Sequence, residues 1–239
     1  MAKYKRTIMA GRISYYGNIV KDGLVLDLDA AKRDSYPGTG TVWTDLSGNN
    51  NNGTLTNGPI FNSGNGGSIV FDGSNDFVQI PAINVGLNFT VCIWARPNLT
   101  SRQLLFSNSY RYFTNEGFLF NIGNNGTDIF LSIGQDQEVA VSTTGYVSAN
   151  TWFYGCATFN GTTARLFVNG LETLYATQSG SISTILYNTN PAYLGRWLLN
   201  GTTTYDLFSG RIGITQLYNR ALSATEVLQN YNATKGRYL

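Results

Sequence analysis

The chain has 239 residues, 42% of them hydrophobic and only 13% charged, with 27 glycines and no histidine. That is enough apolar material for a sizeable core but a poor mixture for helices, so many short strands with tight turns are expected. Without histidine, Ser-His-Asp and Cys-His catalysis and every histidine-containing metal site are excluded.

The net charge of +2 conceals a division. Residues 1–21 carry Lys3, Lys5, Arg6, Arg12 and Lys21 with no acid, so the other eleven basic residues face all fourteen acidic ones. A basic arm on a mildly acidic body is either an ordinary solvated terminus or a tail that docks on an acidic surface or nucleic acid. Tyr4, Tyr15 and Tyr16 add the aromatic character of an interface. Ile8-Met9-Ala10 is too short for a secretory signal core, and no run approaches the ~20 apolar residues of a membrane span.

After the arm, Leu24, Leu26 and Leu28 alternate with Val25, Asp27 and Asp29, a half-buried strand with its carboxylates outward. Residues 31–66 read as loop-rich. Ser68 to Phe71 and Phe77 to Ile80 read as a hairpin about Asp72-Gly-Ser-Asn-Asp76, and Phe89 to Ala95 as a strand covered on both faces. Gly117 to Ile122, Asp128 to Ile133 and Glu138 to Val141 give three more strands. The stretch from Thr151 to Thr177 forms a meander with turns at Asn160-Gly161 and Asn169-Gly170, the second fitting a two-residue type I′ turn. Tyr193 to Trp197 and Phe208 to Tyr218 complete the strands. One helix is expected, from about Ala224 to Asn232: Ser223 and Glu226 make a capping box, and Val227, Leu228 and Tyr231 an apolar stripe. Cys92 and Cys156 fall mid-strand and are expected as buried thiols, with a bridge as the alternative.

The fold class expected is all-β: a two-sheet antiparallel jelly-roll sandwich with one short C-terminal helix, residues 1–22 forming an attachment arm and 23–239 the domain. In order, GLVLDLDA, Trp43-Thr-Asp-Leu-Ser-Gly48, Ile69-Val-Phe-Asp-Gly73, Phe89-Thr-Val91 through Trp94, Trp152, Phe167-Val-Asn-Gly170, and Phe208-Ser-Gly210 through Ser223 and Glu226 resemble the laminin-G-like, or concanavalin A-like lectin/glucanase, family. The style is similar to such domains in structural proteins of tailed bacteriophages.

Glycosidases of that fold carry paired carboxyls ~5 Å apart. Here the four glutamates Glu116, Glu138, Glu172 and Glu226 are unpaired in sequence, and Asp136 with Glu138 reads as a hairpin tip, so no catalytic residue is assigned. Two loops could offer oxygens to calcium, Asp72 with Asn75 and Asp76, and Asp45 with Asn49 to Asn51; the alternative is Asx turns. Relatives that hold calcium carry an acid after a Gly-x-Ile segment near the C-terminus, and Gly210-Arg-Ile-Gly213 lacks it. No other cofactor is expected. Candidate glycan platforms are Tyr110, Arg111, Tyr112 and Trp197, against a core that consumes most aromatics.

The function expected is a non-enzymatic virion structural or adhesion module. Lys3, Tyr4, Lys5, Arg6, Arg12, Tyr15 and Tyr16 would dock it as a homo-oligomer on other particle proteins at the virion surface, with nucleic acid and membrane set aside as partners. The alternative is a carbohydrate-binding module for host or environmental glycans.

Overall fold

The structure is a computed structural model that describes residues 18–98, 101–108, 116–123, 127–133, 137–178, 184–187, 189–199 and 203–239. Its strands run β1 (Leu24–Asp29), β2 (Val42–Trp43), β3 (Gly53–Thr56), β4 (Ile60–Asn62), β5 (Ser68–Asp72), β6 (Phe77–Ile80), β7 (Asn88–Pro97), β8 (Gln103–Ser107), β9 (Phe118–Ile122) and β10 (Ile129–Ile133). They continue as β11 (Gln137–Ser142), β12 (Phe153–Asn160), β13 (Ala164–Val168), β14 (Leu171–Glu172), β15 (Tyr175–Gln178), β16 (Ala192–Leu194), β17 (Trp197–Leu199), β18 (Thr203–Tyr205) and β19 (Ser209–Tyr218), followed by helix α1 (Ala224–Thr234).

Two antiparallel sheets form the sandwich. Sheet A has the order β14-β13-β12-β7-β19-β5-β4, with β1 also on β19; sheet B has the order β15-β11-β10-β9-β8-β16-β6-β3-β2. Between them lies one core in which Leu26, Leu28, Phe71, Phe89, Phe106, Phe118, Phe120 and Phe159 are fully buried. The β12–β13–β14 meander forms as its turn chemistry dictates. Asn169 and Gly170 take φ values of 52° and 80°, the pair of left-handed residues that a type I′ turn demands. At the other end Asn160 Oδ1 accepts from the Thr162 and Thr163 N–H groups (3.0 and 2.7 Å), making a longer turn.

Several expectations are corrected. β5 and β6 are not a hairpin: β5 pairs with β4 and β19 in sheet A, and β6 with β3 and β16 in sheet B, so Asp72–Asp76 is a corner between the sheets. Residues 31–66, read as loop-rich, contain three short strands, and β8 has no counterpart among the strands expected. The run Tyr193 to Trp197 breaks at Gly195 (φ 83°), after which Trp197 starts a separate two-stranded hairpin. Cys92 and Cys156, opposite one another on β7 and β12, form a disulfide instead of lying free.

A second core covers the outer face of sheet A, and it explains a further correction. Trp94, Tyr154, Phe167, Ile214, Tyr218, Val227 and Tyr238 pack there beneath α1 and the C-terminal turn, with Tyr231 against them. Asp27 and Asp29 do point away from the main core, yet both are buried by this layer. Arg237 holds Asp29 with Nη1 on Oδ1 (2.7 Å) and Nη2 on Oδ2 (3.0 Å). The helix begins at its capping box as expected, but its inward side is Val227, Asn230 and Thr234, while Leu228 is exposed. Residues spaced by three and four share a helical face, and Leu228 sits one step round from them.

Residues 18–22, assigned to the arm from the sequence, belong to the body. Val20 is buried in the second core; its N–H donates to Asn230 Oδ1 (2.8 Å) and its carbonyl accepts from the Tyr218 hydroxyl (3.1 Å). Gln229 Nε2 donates to the Asn18 carbonyl (2.7 Å).

Candidate functional site

The sequence-derived site residues separate into those the structure places and those it does not. Lys3, Tyr4, Lys5, Arg6, Arg12, Tyr15 and Tyr16, and likewise Tyr110, Arg111 and Tyr112, lie outside the described residues.

The two acidic loops are organised by their own backbone. Asp72 Oδ1 accepts from the N–H groups of Ser74 (2.7 Å), Asn75 (3.2 Å) and Asp76 (3.4 Å), while Asp76 Oδ2 accepts from the Asp72 N–H (3.0 Å). The Ser74 N–H, foremost among these donors, holds the Asp72 carboxyl below the usual carboxylate range, whereas burial raises Asp76. Asn75 contributes its carbonyl, which accepts from Asn57 Nδ2 (3.0 Å). In the other loop Asp45 accepts the N–H groups of Asp27 and Ser47 (both 2.9 Å) and of Asn51 (3.0 Å), and Asn51 Nδ2 reaches the Val25 carbonyl (2.8 Å). Both loops are Asx-type corners, and the second fastens itself to β1. Among the described residues no group of three or more Cys, Asp or Glu side chains is placed to hold a metal ion.

The placed acids with resolved partners are structural. Glu172 accepts from Arg165 Nε (2.9 Å) and the Tyr175 hydroxyl (2.8 Å), and Glu226 accepts from Arg220 Nη2 (2.6 Å) within its capping box. Arg220 also pairs with Asp22 through Nε (2.8 Å), so Glu226 and Asp22 share one guanidinium.

The outer face of sheet B is different in character. There Phe77 on β6 and Tyr193 on β16 alternate with core residues and turn outward, their rings 5.8 Å apart edge to face. The Arg196 guanidinium lies 3.3 Å from the Phe77 ring centre and 4.3 Å from that of Tyr193. Farther along, Arg102 lies 5.0 Å over Phe130 on β10 and is paired with Asp206 (2.7 Å). Between these two stacks stands the β17–β18 hairpin, with Trp197 directly across from Tyr205 and their rings 5.5 Å apart.

Trp197 is only 2% exposed, sealed against Leu104, Leu119 and Leu199. It therefore offers no open platform, contrary to expectation; its neighbour Tyr205, at 43%, does. Tyr205, Tyr193, Phe77 and Arg196 escaped sequence reasoning because strand alternation marks a face without saying which face remains open. Phe77, Tyr193 and Phe130 are as covered as Trp197, at 6% exposure or less, so among these rings Tyr205 is the one whose open face suits the apolar side of a sugar ring.

No curated protein matches the chain in sequence. Solved structures match in fold at low identity. Domain 4 of AbnA, a GH43 extracellular arabinanase from Geobacillus stearothermophilus solved with arabinotriose, superposes with a TM-score of 0.63 at 16% identity, over 87% of this chain and 98% of that one. The binding domain of Paraclostridial Mosquitocidal Protein 1 gives 0.65 at 20% identity, over 89% of this chain and 52% of that one. A Trypanosoma rangeli sialidase in complex with the inhibitor DANA gives 0.65 at 13%, over 92% of this chain and 34% of that one. The chain thus spans about half of the toxin domain and a third of the sialidase. The model of the concanavalin A-like lectin/glucanases superfamily matches residues 72–228, and with the jelly-roll sheets already in view the chain belongs to that superfamily.

Proposed function

We propose that this protein is a non-catalytic adhesion module, a lectin-like sandwich displayed on a virion of the tailed-bacteriophage kind and attached to other particle proteins by residues 1–17. The observation that supports the reading is the placement of the arm's root. Residues 18–22 are fastened to α1 and β19 on the outer face of sheet A, while the aromatic and guanidinium strip occupies the outer face of sheet B. Attachment and recognition are then assigned to opposite faces, and residues 1–21 carry five cations and no acid, the charge of a docking segment. Deleting residues 2–17 tests this. Co-sedimentation with purified virions should be lost while the far-ultraviolet spectrum and Tm are kept; retained co-sedimentation contradicts the attachment role.

A carbohydrate-binding role is compatible with this and is favoured by the exposed Tyr205 beside Trp197 and by the fold shared with an arabinanase domain solved with arabinotriose. A glycan array probed with the full chain, with and without calcium, should show hits; an array without any hit removes this reading.

A further inference from the structure

Along β19 the C-terminal turn reaches Gly213 on the outer face of sheet A, where the Tyr238 hydroxyl fills the space a side chain would need. Beyond it a row of four residues crosses the sheet. The register sets Arg96 on β7 opposite Arg211 on β19, Arg211 opposite Val70 on β5, and Val70 opposite Ile60 on β4. Opposed residues share a face, and the strand neighbours Ala95, Ile212, Ile69 and Phe71 all enter the main core, so the row points outward. Ile60 is 65% exposed and the other three are half-buried.

Like charges directly opposite each other on a sheet repel and cost stability. Elsewhere the chain answers its guanidinium groups with acids: Arg165, Arg220 and Arg237 each hold a carboxylate. Here it does not. The Arg211 guanidinium has a neutral partner, Nη1 donating to Asn62 Oδ1 (3.2 Å), and the Arg96 guanidinium has no hydrogen bond or ion pair among the described residues. Asp72 lies diagonal to Arg211, opposite Ser209, but its Oδ1 is turned to the N–H groups of Ser74, Asn75 and Asp76.

We infer that Arg96 and Arg211 are a carboxylate-binding pair, a second contact on the attachment face, and that the ligand is an aspartate or glutamate side chain of the particle protein that receives residues 1–17. This rests on the attachment reading and names the partner's chemistry. A carboxylate between two guanidinium forks accepts charge-assisted hydrogen bonds from both and removes their repulsion. The same acidic surface answers the five cations of residues 1–21. Val70 and Ile60 continue the row as an apolar shoulder for the residues beside the acid. A nucleic acid calls for a longer track of cations than this pair, without a carboxylate at its flank. A sugar calls for an open aromatic ring, and the row holds none.

The test is co-sedimentation of the full chain with purified virions at low and high salt, for wild type and for the double variant Arg96→Gln with Arg211→Gln. The double variant should bind about tenfold more weakly at low salt, and its affinity should depend less on salt than that of wild type. Its Tm should hold or rise as the repulsion goes. On the free wild-type chain, the Nε–H resonances of Arg96 and Arg211 should move together when hexaglutamate is added, and move less with hexathymidylate or sialyllactose. A fall in Tm of the double variant assigns the two arginines to the fold and overturns the proposal. So does a larger response to hexathymidylate or sialyllactose than to hexaglutamate, or no response to any of them. Co-sedimentation of the double variant equal to wild type overturns this contact and leaves the attachment reading intact; failure of wild type to co-sediment removes both.

Discussion

Cys92 on β7 and Cys156 on β12 stand directly opposite each other with Cα atoms 4.1 Å apart, joined by a disulfide across the middle of sheet A. The bridge closes a span of 64 residues, and a crosslink of that length restricts the unfolded chain by about 4 kcal/mol on a loop-entropy basis. Replacing both cysteines by alanine should therefore lower Tm by roughly 10 °C for a chain of this size. Thermal unfolding of wild type with and without reductant checks it: reduction should reproduce the double variant's Tm, and an unchanged Tm contradicts the bridge's role.

Asp27 carries the opposite lesson about buried charge. Burial raises its pKa above the ordinary 3.8, with Lys32, Gln216 and Lys21 offsetting only part of the effect, and its Oδ2 has no hydrogen-bond partner. A raised folded-state pKa means that the folded chain holds its proton more tightly than the unfolded chain. Stability is thus lost as pH rises through the folded pKa, and the whole penalty is present at neutral pH. Asp27→Asn should raise Tm at pH 7 by about 2–4 °C, equivalent to about 1 kcal/mol. The gain should vanish below pH 3.8, where the carboxyl is protonated in both states.

Glu226 behaves in reverse. The Arg220 guanidinium, aided by Ser223, draws its pKa down from 4.5 to about 2. Its stabilisation is complete above pH 4.5 and disappears as pH falls towards 2. Glu226→Gln should lower stability by about 1 kcal/mol at pH 7, a typical value for a helix cap, and by clearly less at pH 2, where the pH has reached the folded-state pKa. Urea unfolding at the two pH values measures the difference; an equal loss at both contradicts the assignment.

Tyr205 separates recognition from folding. Because it is largely exposed on a hairpin outside both sheets, Tyr205→Ala should leave Tm within about 1 °C of wild type. It should weaken binding to a glycan identified on the array about tenfold, through loss of ring stacking. Titration of wild type and variant with the same glycan decides; equal affinity takes Tyr205 out of the site.

How much of this was legible in the sequence depended on the range of the interaction concerned. Asn169-Gly170 and the Ser223–Glu226 box are local devices, readable because their geometry is encoded within four residues. The corner at Asp72–Asp76 was misread as a hairpin because an Asx loop joins strands of one sheet or of two with the same residues. The burial of Asp29 depends on Arg237, 208 residues away, and that of Trp197 on Leu104 and Leu119, so neither could be seen from alternation along a strand. The candidate site was the least legible part. Tyr205 is an ordinary aromatic residue in sequence and stands out only when three dimensions leave it exposed beside the buried Trp197.

The account rests on recognition without chemistry, and incubating the full chain with each array-positive glycan while following both partners by chromatography tests that directly. The expected result is saturable co-elution of protein with a glycan that is recovered at its original length. Shortened glycan or released monosaccharide would contradict it, as would a full chain that retains no glycan at all.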